Sequence, residues 1–334
     1  MGLRMNRRTS LTCLALVGLA GASWAQTGNV PGADKLLAQE RFTIVAPFPP
    51  GGPVDTLSRM LAEGLQKRYG QSAVVENLAG AAGNIGIDKV KRAKADGHTL
   101  LVVPAGNLTI NPTLMPNFPF SIERDFVPIT MLAKAPNVLV ASPGAKIQTI
   151  KELIEQAKAK PNTLAYASPG VGSGLHLAGE LFKQQTGADL LHVPYKGTGP
   201  ALNDVLGGTV PLMFSNLPGT LSHIKSGKLV AIGLTDSARS AVAPEIPTLA
   251  EQGVSGVVVT SWYGLLAPAG TSAAIAEQLA KDAAEILAQP AVRDQLKAQG
   301  LSDATQKPAE FAAHIKAETA TWARIIKARN ITAE

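Results

Sequence analysis

The chain has 334 residues, of which 46% are hydrophobic and 17% charged, with a formal net charge of +6. At roughly 100–200 residues per domain this means two domains or one large one, and the dispersed glycines and prolines exclude disorder or collagen-like repeats as the main state. Aromatic residues are only 4%, and so few aromatics with so mild a charge exclude the basic, aromatic-interleaved surface of a nucleic-acid binder.

The first 25 residues read as a segment outside the fold. Arg4, Arg7 and Arg8 precede an apolar run over Leu11–Ala20, and Ser23-Trp24-Ala25 places small residues two apart. That is the three-part pattern of a secretory signal, here cleaved after Ala25. The run is about half of the ~20 residues a membrane span needs. Arg7-Arg8 hints at twin-arginine export, but Ser10 stands where such a signal usually carries Phe, so general secretion into the periplasm is favoured. Cys13 is the only cysteine and leaves with this segment, so the mature chain has no thiol for a disulfide or for catalysis. Residues 26–40 lack strand or strong helical pattern and read as a lead-in.

From residue 41 a plan repeats. Arg41–Ala46 is a β-branched apolar run broken by Pro47-Phe48-Pro49-Pro50-Gly51-Gly52-Pro53, after which Leu57, Met60, Leu61 and Leu65 recur at helical spacing until Gly70. Ser72–Val75 leads through Gly80-Ala81-Ala82-Gly83-Asn84 into a predicted helix over about 85–95, and His98–Val103 is the next strand. The second copy runs from Leu164–Ala167 through Ser168-Pro169-Gly170-Val171-Gly172-Ser173-Gly174 into a helix over 175–186, with Ser173 as its natural N-cap. Leu190–Val193 then leads through Tyr195-Lys196-Gly197-Thr198-Gly199 into a helix begun by Pro200, and Thr209–Phe214 follows. Two βαβαβ units argue for two related α/β halves with mostly parallel sheets and right-handed crossovers. Val138–Ala141 and Trp262–Ala267 are the expected passages between halves, and helices near 272–288 and 308–328 are expected to return to the first.

All four glycine loops sit at the carboxyl ends of predicted parallel strands and open helices, where an open α/β sheet places its ligand. A helix N-terminus offers free N–H groups and about half a positive charge, so four of them facing one cleft bind a carboxylate without a buried cation. Tight βα turning alone explains any single loop. Phosphate is the rival anion, but no GxxxxGK[ST] occurs and the order around Gly80 is not GxGxxG.

At these residues the sequence resembles the Bug-type periplasmic solute receptors of tripartite tricarboxylate transporters. Pro47–Asp55 looks like their first ligand loop. Glu76–Gly86 looks like their second, with Ala82 in place of a frequent Gly. Ser168–Leu177 and His192–Ala201 resemble the facing half, and Ser261–Gly270 a return crossing. The resemblance implies a two-lobed Venus-flytrap fold of the periplasmic-binding-protein type, type II-like, with two mixed, mostly parallel sheets. Lobe 1 is expected at 41–139 and 262–334, and lobe 2 at 140–261. It further implies a small organic acid between the lobes, delivery to two membrane permease subunits, a sensor kinase as a further partner, and a monomer with no cofactor. The ligand residues carried over are Phe48, Pro50, Gly51, Gly52, Asp55 and Thr56 in the first loop, and Gly80, Ala81, Ala82, Gly83 and Asn84 in the second. The facing half supplies Ser168, Gly170, Gly172, Ser173 and His176, then Tyr195, Lys196, Gly197 and Thr198. Asn107 and Asn216 complete the set. Side chains at Phe48, Tyr195, Asn216 and Tyr263 are left to select the distal part of the molecule, with dicarboxylates ahead of aromatic carboxylates and amino acids.

The chemical alternatives are weaker. His98, His176, His192, His223 and His314 fall in separate segments with no i,i+4 pair of histidines, so no metal site is read. Ser173 and His176 evoke a nucleophile and base, hence an exported α/β hydrolase as the alternative function, but Val171 removes the Gly-x-Ser-x-Gly elbow. Ser173 is expected to cap its helix and donate to ligand, and His176 to brace the loop. Asp55 is read as a loop-holding acid instead of a general base.

Overall fold

The computed structural model describes residues 32–115, 117–161 and 163–332. The expected signal at 1–25 lies outside the described residues. Among the described residues eleven strands form two sheets. The first contains β1 (Phe42–Ala46), β2 (Ala73–Asn77), β3 (Thr99–Pro104) and β4 (Phe126–Ala135). The second contains β5 (Asn137–Ala141), β6 (Leu164–Ser168), β7 (Leu190–Pro194), β8 (Leu212–Asn216) and β9 (Val230–Leu234). The chain then returns to the first sheet through β10 (Ser261–Pro268) and the two-residue β11 (Ser302–Asp303).

The sheet orders are β11-β4-β10-β3-β1-β2 and β7-β6-β8-β5-β9. Each repeat puts its first strand in the middle, β1 parallel to both β2 and β3, and β6 parallel to both β7 and β8. The strands that cross between halves pair antiparallel, β10 with β3 and β4, and β5 with β8 and β9. Between strands, parallel pairing is thus confined to the βαβαβ units, apart from a single parallel bridge of Leu234 to Thr248, and the crossing strands make both sheets mixed.

Each sheet is covered on both faces. In the first half, Ile44, Leu100 and Leu265 pack against Leu57, Leu61 and Leu279 on one side, while Val45, Leu101 and Leu266 meet Ile87, Val90 and Phe311 on the other. The second half repeats this with Leu139, Tyr166 and Phe214 against Leu177 and Phe182, and Val140, Ala167 and Met213 against Ala201 and Val205. Alternation along each strand feeds two cores, as a doubly covered sheet requires.

Three expectations shift. β4 pairs with β10 up to Ala135 and β5 joins β8 from Asn137, so the chain changes sheets at Pro136, slightly before the expected 139/140 boundary. The lead-in contains a short helix, Ala33–Leu37, whose Leu37 is wholly buried in the first core. The long C-terminal helix, Pro308–Ala328, belongs to both halves: Phe311 and Ile315 pack in the first, but Trp322 and Ile326 join the core of the second. Its apolar face is continuous, so one helix spans the junction. Among the described residues no helix is long and apolar enough to cross a membrane.

Candidate ligand-binding cleft

The loops at the carboxyl ends of both βαβαβ units meet around a cavity of about 460 Å³. The halves touch at its edges. A Cβ on Gly106 would fall 2.4 Å from the carbonyl oxygen of Gly172, and one on Gly197 would lie 3.5 Å from Cδ of Pro49. Gly172 has φ +76, and a Cβ there would strike Oδ1 of Asn111 at 1.9 Å, so only glycine fits this crossing point.

In the first loop Gly52 is the N-cap of helix Pro53–Tyr69 with no side-chain cap, which leaves the leading N–H groups of the helix without a side-chain partner. Asp55 stands behind the loop. Its Oδ2 accepts from Gly51 N (3.1 Å) and Arg59 Nε (3.0 Å), and its Oδ1 from Asn77 Nδ2 (3.0 Å). Burial pushes this carboxyl up, but the hydrogen bonds from Arg59, Asn77 and Gly51 outweigh it and leave the pKa below the ordinary value. Thr56 N donates back to Gly52 O inside the helix. In the second loop Ala81 and Ala82 take left-handed conformations, φ 47 and 53, and Ala82 O accepts from Asn107 Nδ2 at 2.8 Å. Asn84 opens the following helix, Asn84–Lys91, shorter than the expected 85–95.

In the second half Ser173 caps helix Gly174–Thr186, its Oγ accepting from His176 N (3.1 Å) while it donates to Gly170 O (2.7 Å). The hydroxyl proton is therefore committed to the loop, which corrects the expected donation to ligand. It also removes the hydrolase geometry: His176 turns its Nδ1 to Gly172 N at 3.3 Å, so the ring accepts from the loop and does not face Oγ as a base. Burial lowers the pKa of His176 to about 4. His192, which stacks on His176 with ring centroids 4.3 Å apart, is lowered by burial and by that neighbour to about 3. Ser168 Oγ meets His192 Nε2 at 2.7 Å. The fourth loop hangs on Ser168 O and Pro169 O through Tyr195 N and Gly197 N. Tyr195 Oη donates to Asp204 at 2.6 Å, and burial together with that carboxylate raises its pKa to about 12.

Polar groups close the far wall. Tyr263 Oη donates to Asn216 Oδ1 (3.1 Å), and Asn216 Nδ2 donates to Asn137 Oδ1 and Ser261 Oγ (2.8 and 2.9 Å). Glu318 accepts from the indole N–H groups of Trp262 and Trp322 at 2.6 and 3.0 Å, and lies 3.0 Å from His314 Nε2.

Of the residues singled out from sequence, Phe48, Pro50, Gly52, Gly80–Gly83, Asn107, Gly170, Gly172, Ser173, Tyr195–Thr198 and Asn216 line the cavity. Gly51, Asp55, Thr56, Asn84, Ser168 and His176 do not; they stand behind the wall, and Asp55, Ser168 and His176 serve as its braces. Sequence reading missed Ala105, Gly106, Asn111, Trp262, Glu318 and Trp322, all of which line it. Pro104-Ala105-Gly106-Asn107 follows β3 at its carboxyl end, so the rule that found the other loops reaches this one too. His314, Glu318 and Trp322 at successive i,i+4 positions of one helix were the available signal for the rest. Among the described residues lining the cavity, Lys196, which is exposed, is the one basic residue and Glu318 the one acid.

Two lobes with separately covered sheets, joined by crossing strands around a shared cavity of backbone amides and few charges, define a two-lobed solute-binding protein of the periplasmic-binding-protein class. A model of the tripartite tricarboxylate transporter family receptor matches residues 57–331. Protein BugT of Bordetella pertussis is 40% identical over 315 residues, 94% of this chain and 96% of that protein. The periplasmic binding protein BugD is 34% identical, with a TM-score of 0.83 over 89% of this chain and 99% of that one. Rpa4515 of R. palustris, solved with adipate, is 32% identical, with a TM-score of 0.84 over 88% and 98% of the two chains. The chain belongs to the tripartite tricarboxylate transporter receptor family, and it is a Bug-type solute-binding receptor, not an enzyme.

Proposed function

We propose that this receptor is exported to the periplasm by general secretion, starts at Gln26 after cleavage, and holds a small dicarboxylate between its lobes for delivery to two permease subunits in the membrane. The carrying observation is the convergence of glycine-rich loops at helix N-termini on one cavity whose wall has one exposed lysine and no buried cation among the described residues. Backbone N–H groups of Gly52 and Val54, of Gly80, Ala81 and Ala82, and of Thr198 and Gly199 are the donors for one carboxylate, with Lys196 at the rim; Pro53 has no N–H, and Gly83 N and Gly197 N are spent on Gly80 O and Pro169 O. The bound adipate of its relative supports a dicarboxylate of that size. Phe48, Tyr195, Asn216 and Tyr263 then meet the distal part of the molecule.

A thermal-shift panel of dicarboxylates, aromatic carboxylates, amines and neutral sugars tests the reading. A dicarboxylate at about 100 times its Kd adds roughly 2.7 kcal/mol to the folded state, so its melting point rises while amines and sugars leave it unchanged. Stabilisation by sugars with every carboxylate inactive overturns it. Native mass spectrometry of periplasmic protein reads the Gln26 start and the co-purified acid together.

A further inference from the structure

The end of the first sheet farthest from the cleft carries a second constellation. Glu40 stands just before β1, and Asp96 and His98 just before β3. One ligand-capable atom from each of the three lies within 4.8 Å of the others. His98 is 7% exposed, and neither of its ring nitrogens has a hydrogen-bond partner. Nδ1 stands 3.3 Å from Asp96 Oδ1 without forming a hydrogen bond. A buried imidazole with both nitrogens unused is costly and calls for a partner that the side chains around it do not supply.

The spacing fits a metal ion. Two ligands each bound at ~2.0–2.2 Å on a tetrahedral centre stand roughly 3.4 Å apart, close to the observed nitrogen–oxygen distance. The frame is also rigid where it needs to be. Gly97 between the two ligands has φ +88, and a Cβ there would meet Ile275 Cγ2 at 2.6 Å and Leu37 Cδ2 at 2.8 Å, so the turn is wedged against the core. His98 N donates to Asp96 Oδ1 (3.0 Å), Thr43 N donates to His98 O (2.8 Å), and the Phe42 ring packs 5.3 Å from the imidazole. Glu40 is exposed and on the lead-in, free to complete the shell.

We infer that Glu40, Asp96 and His98 bind one divalent cation of the zinc type, His98 through a ring nitrogen and the two acids through carboxylate oxygens, with water in the remaining position. An imidazole in the set favours zinc over magnesium or calcium, which take all-oxygen shells. The ion clamps the lead-in and its Ala33–Leu37 helix to the starts of β1 and β3, so it stabilises the first lobe at the end remote from the carboxylate cleft. The ligands come from segments more than fifty residues apart, joined only by the parallel pairing of β1 with β3, so no spacing within one segment of the sequence announces them.

Untagged protein produced from the full chain is stripped with a chelator and titrated with Zn²⁺, Mg²⁺ and Ca²⁺ by calorimetry, with melting points measured in parallel. One saturable Zn²⁺ per chain is expected, with a rise in melting point, at least tenfold weaker binding in Glu40→Gln and loss of binding in His98→Gln. Glu40 is exposed, so its variant folds and decides the matter even where His98→Gln does not. The inference is overturned by the absence of saturable binding at millimolar Zn²⁺, by Mg²⁺ binding as tightly as Zn²⁺, or by unchanged affinity in Glu40→Gln, which would place the ion elsewhere.

Discussion

Ala82 and its neighbour Ala81 hold left-handed φ values of 53 and 47 beside the cleft, a conformation that costs an L-residue with a Cβ roughly 1–2 kcal/mol. Replacing Ala82 by glycine removes that cost and gives back part of it as backbone entropy. Ala82→Gly is therefore expected to stabilise by about 0.5–1 kcal/mol, read as a higher urea midpoint at constant slope; a lower midpoint would show that the site is not strained. Gly52 is a contrasting case. Its φ is −92, and an added Cβ meets nothing within 4 Å, so Gly52→Val folds normally while its methyl groups occupy cavity space. Carboxylate affinity is expected to fall roughly tenfold or more, about 1.4 kcal/mol, with the melting point of the free protein unchanged; unaltered affinity by calorimetry would place the ligand elsewhere. At this scale the sequence was informative about roles set by local geometry. Asp55, one turn into a helix behind a glycine loop, holds that loop in the structure by the bond that its position suggests. For Ser173 the N-cap role was legible and the direction of its proton was not, because that depends on Gly170 O three residues back.

The strands of the two βαβαβ units and the helices between them followed from local patterns, because alternation and glycine punctuation are local, whereas the order of strands in each sheet did not. The aromatic stack behind the third loop is not local. Tyr166 on β6, His192 on β7 and His176 on the helix between them stack at 4.9 and 4.3 Å between successive ring centroids, and only the parallel pairing of β6 with β7 brings them together. Both histidines titrate near 6.5 when unfolded, but at about 4 and about 3 in the fold. Between those values the unfolded chain binds more protons, so stability is full above about 6.5 and drains away as the pH falls toward 4. Each imidazole contributes a slope of up to about 1.4 kcal/mol per pH unit. Urea unfolding between pH 7 and 5 checks this: His192→Gln is expected to flatten the dependence relative to the parent, and an identical slope in the two proteins would remove the stack as its origin.

Contacts between halves were the least legible part, since they join residues from opposite ends of the chain. Trp322, near the end of the chain, shares Glu318 with Trp262 at the cleft, because the helix Pro308–Ala328 runs from one core to the other. That placement decides how closure is to be observed. Lobes joined at Pro136 and at Thr260–Ser261 are expected to open by rotation about the Asn137, Asn216 and Ser261 hydrogen bonds, a hinge motion common to binding proteins that close around ligand. Such a rotation would slide the second lobe along the helix, where Trp322 and Ile326 are buried against it. Ligand-dependent emission is therefore expected from both tryptophans, reduced in Trp262→Phe and in Trp322→Phe alike, and shifted in Glu318→Gln, which weakens the acceptor of both indoles. Small-angle scattering gives the independent reading. Saturating dicarboxylate is expected to lower the radius of gyration, and Trp322→Ala to raise that of the ligand-free protein by loosening the helix from the second core. A radius indifferent to ligand, with emission changes confined to one tryptophan, would show that the helix locks the lobes and that the cavity fills without closure.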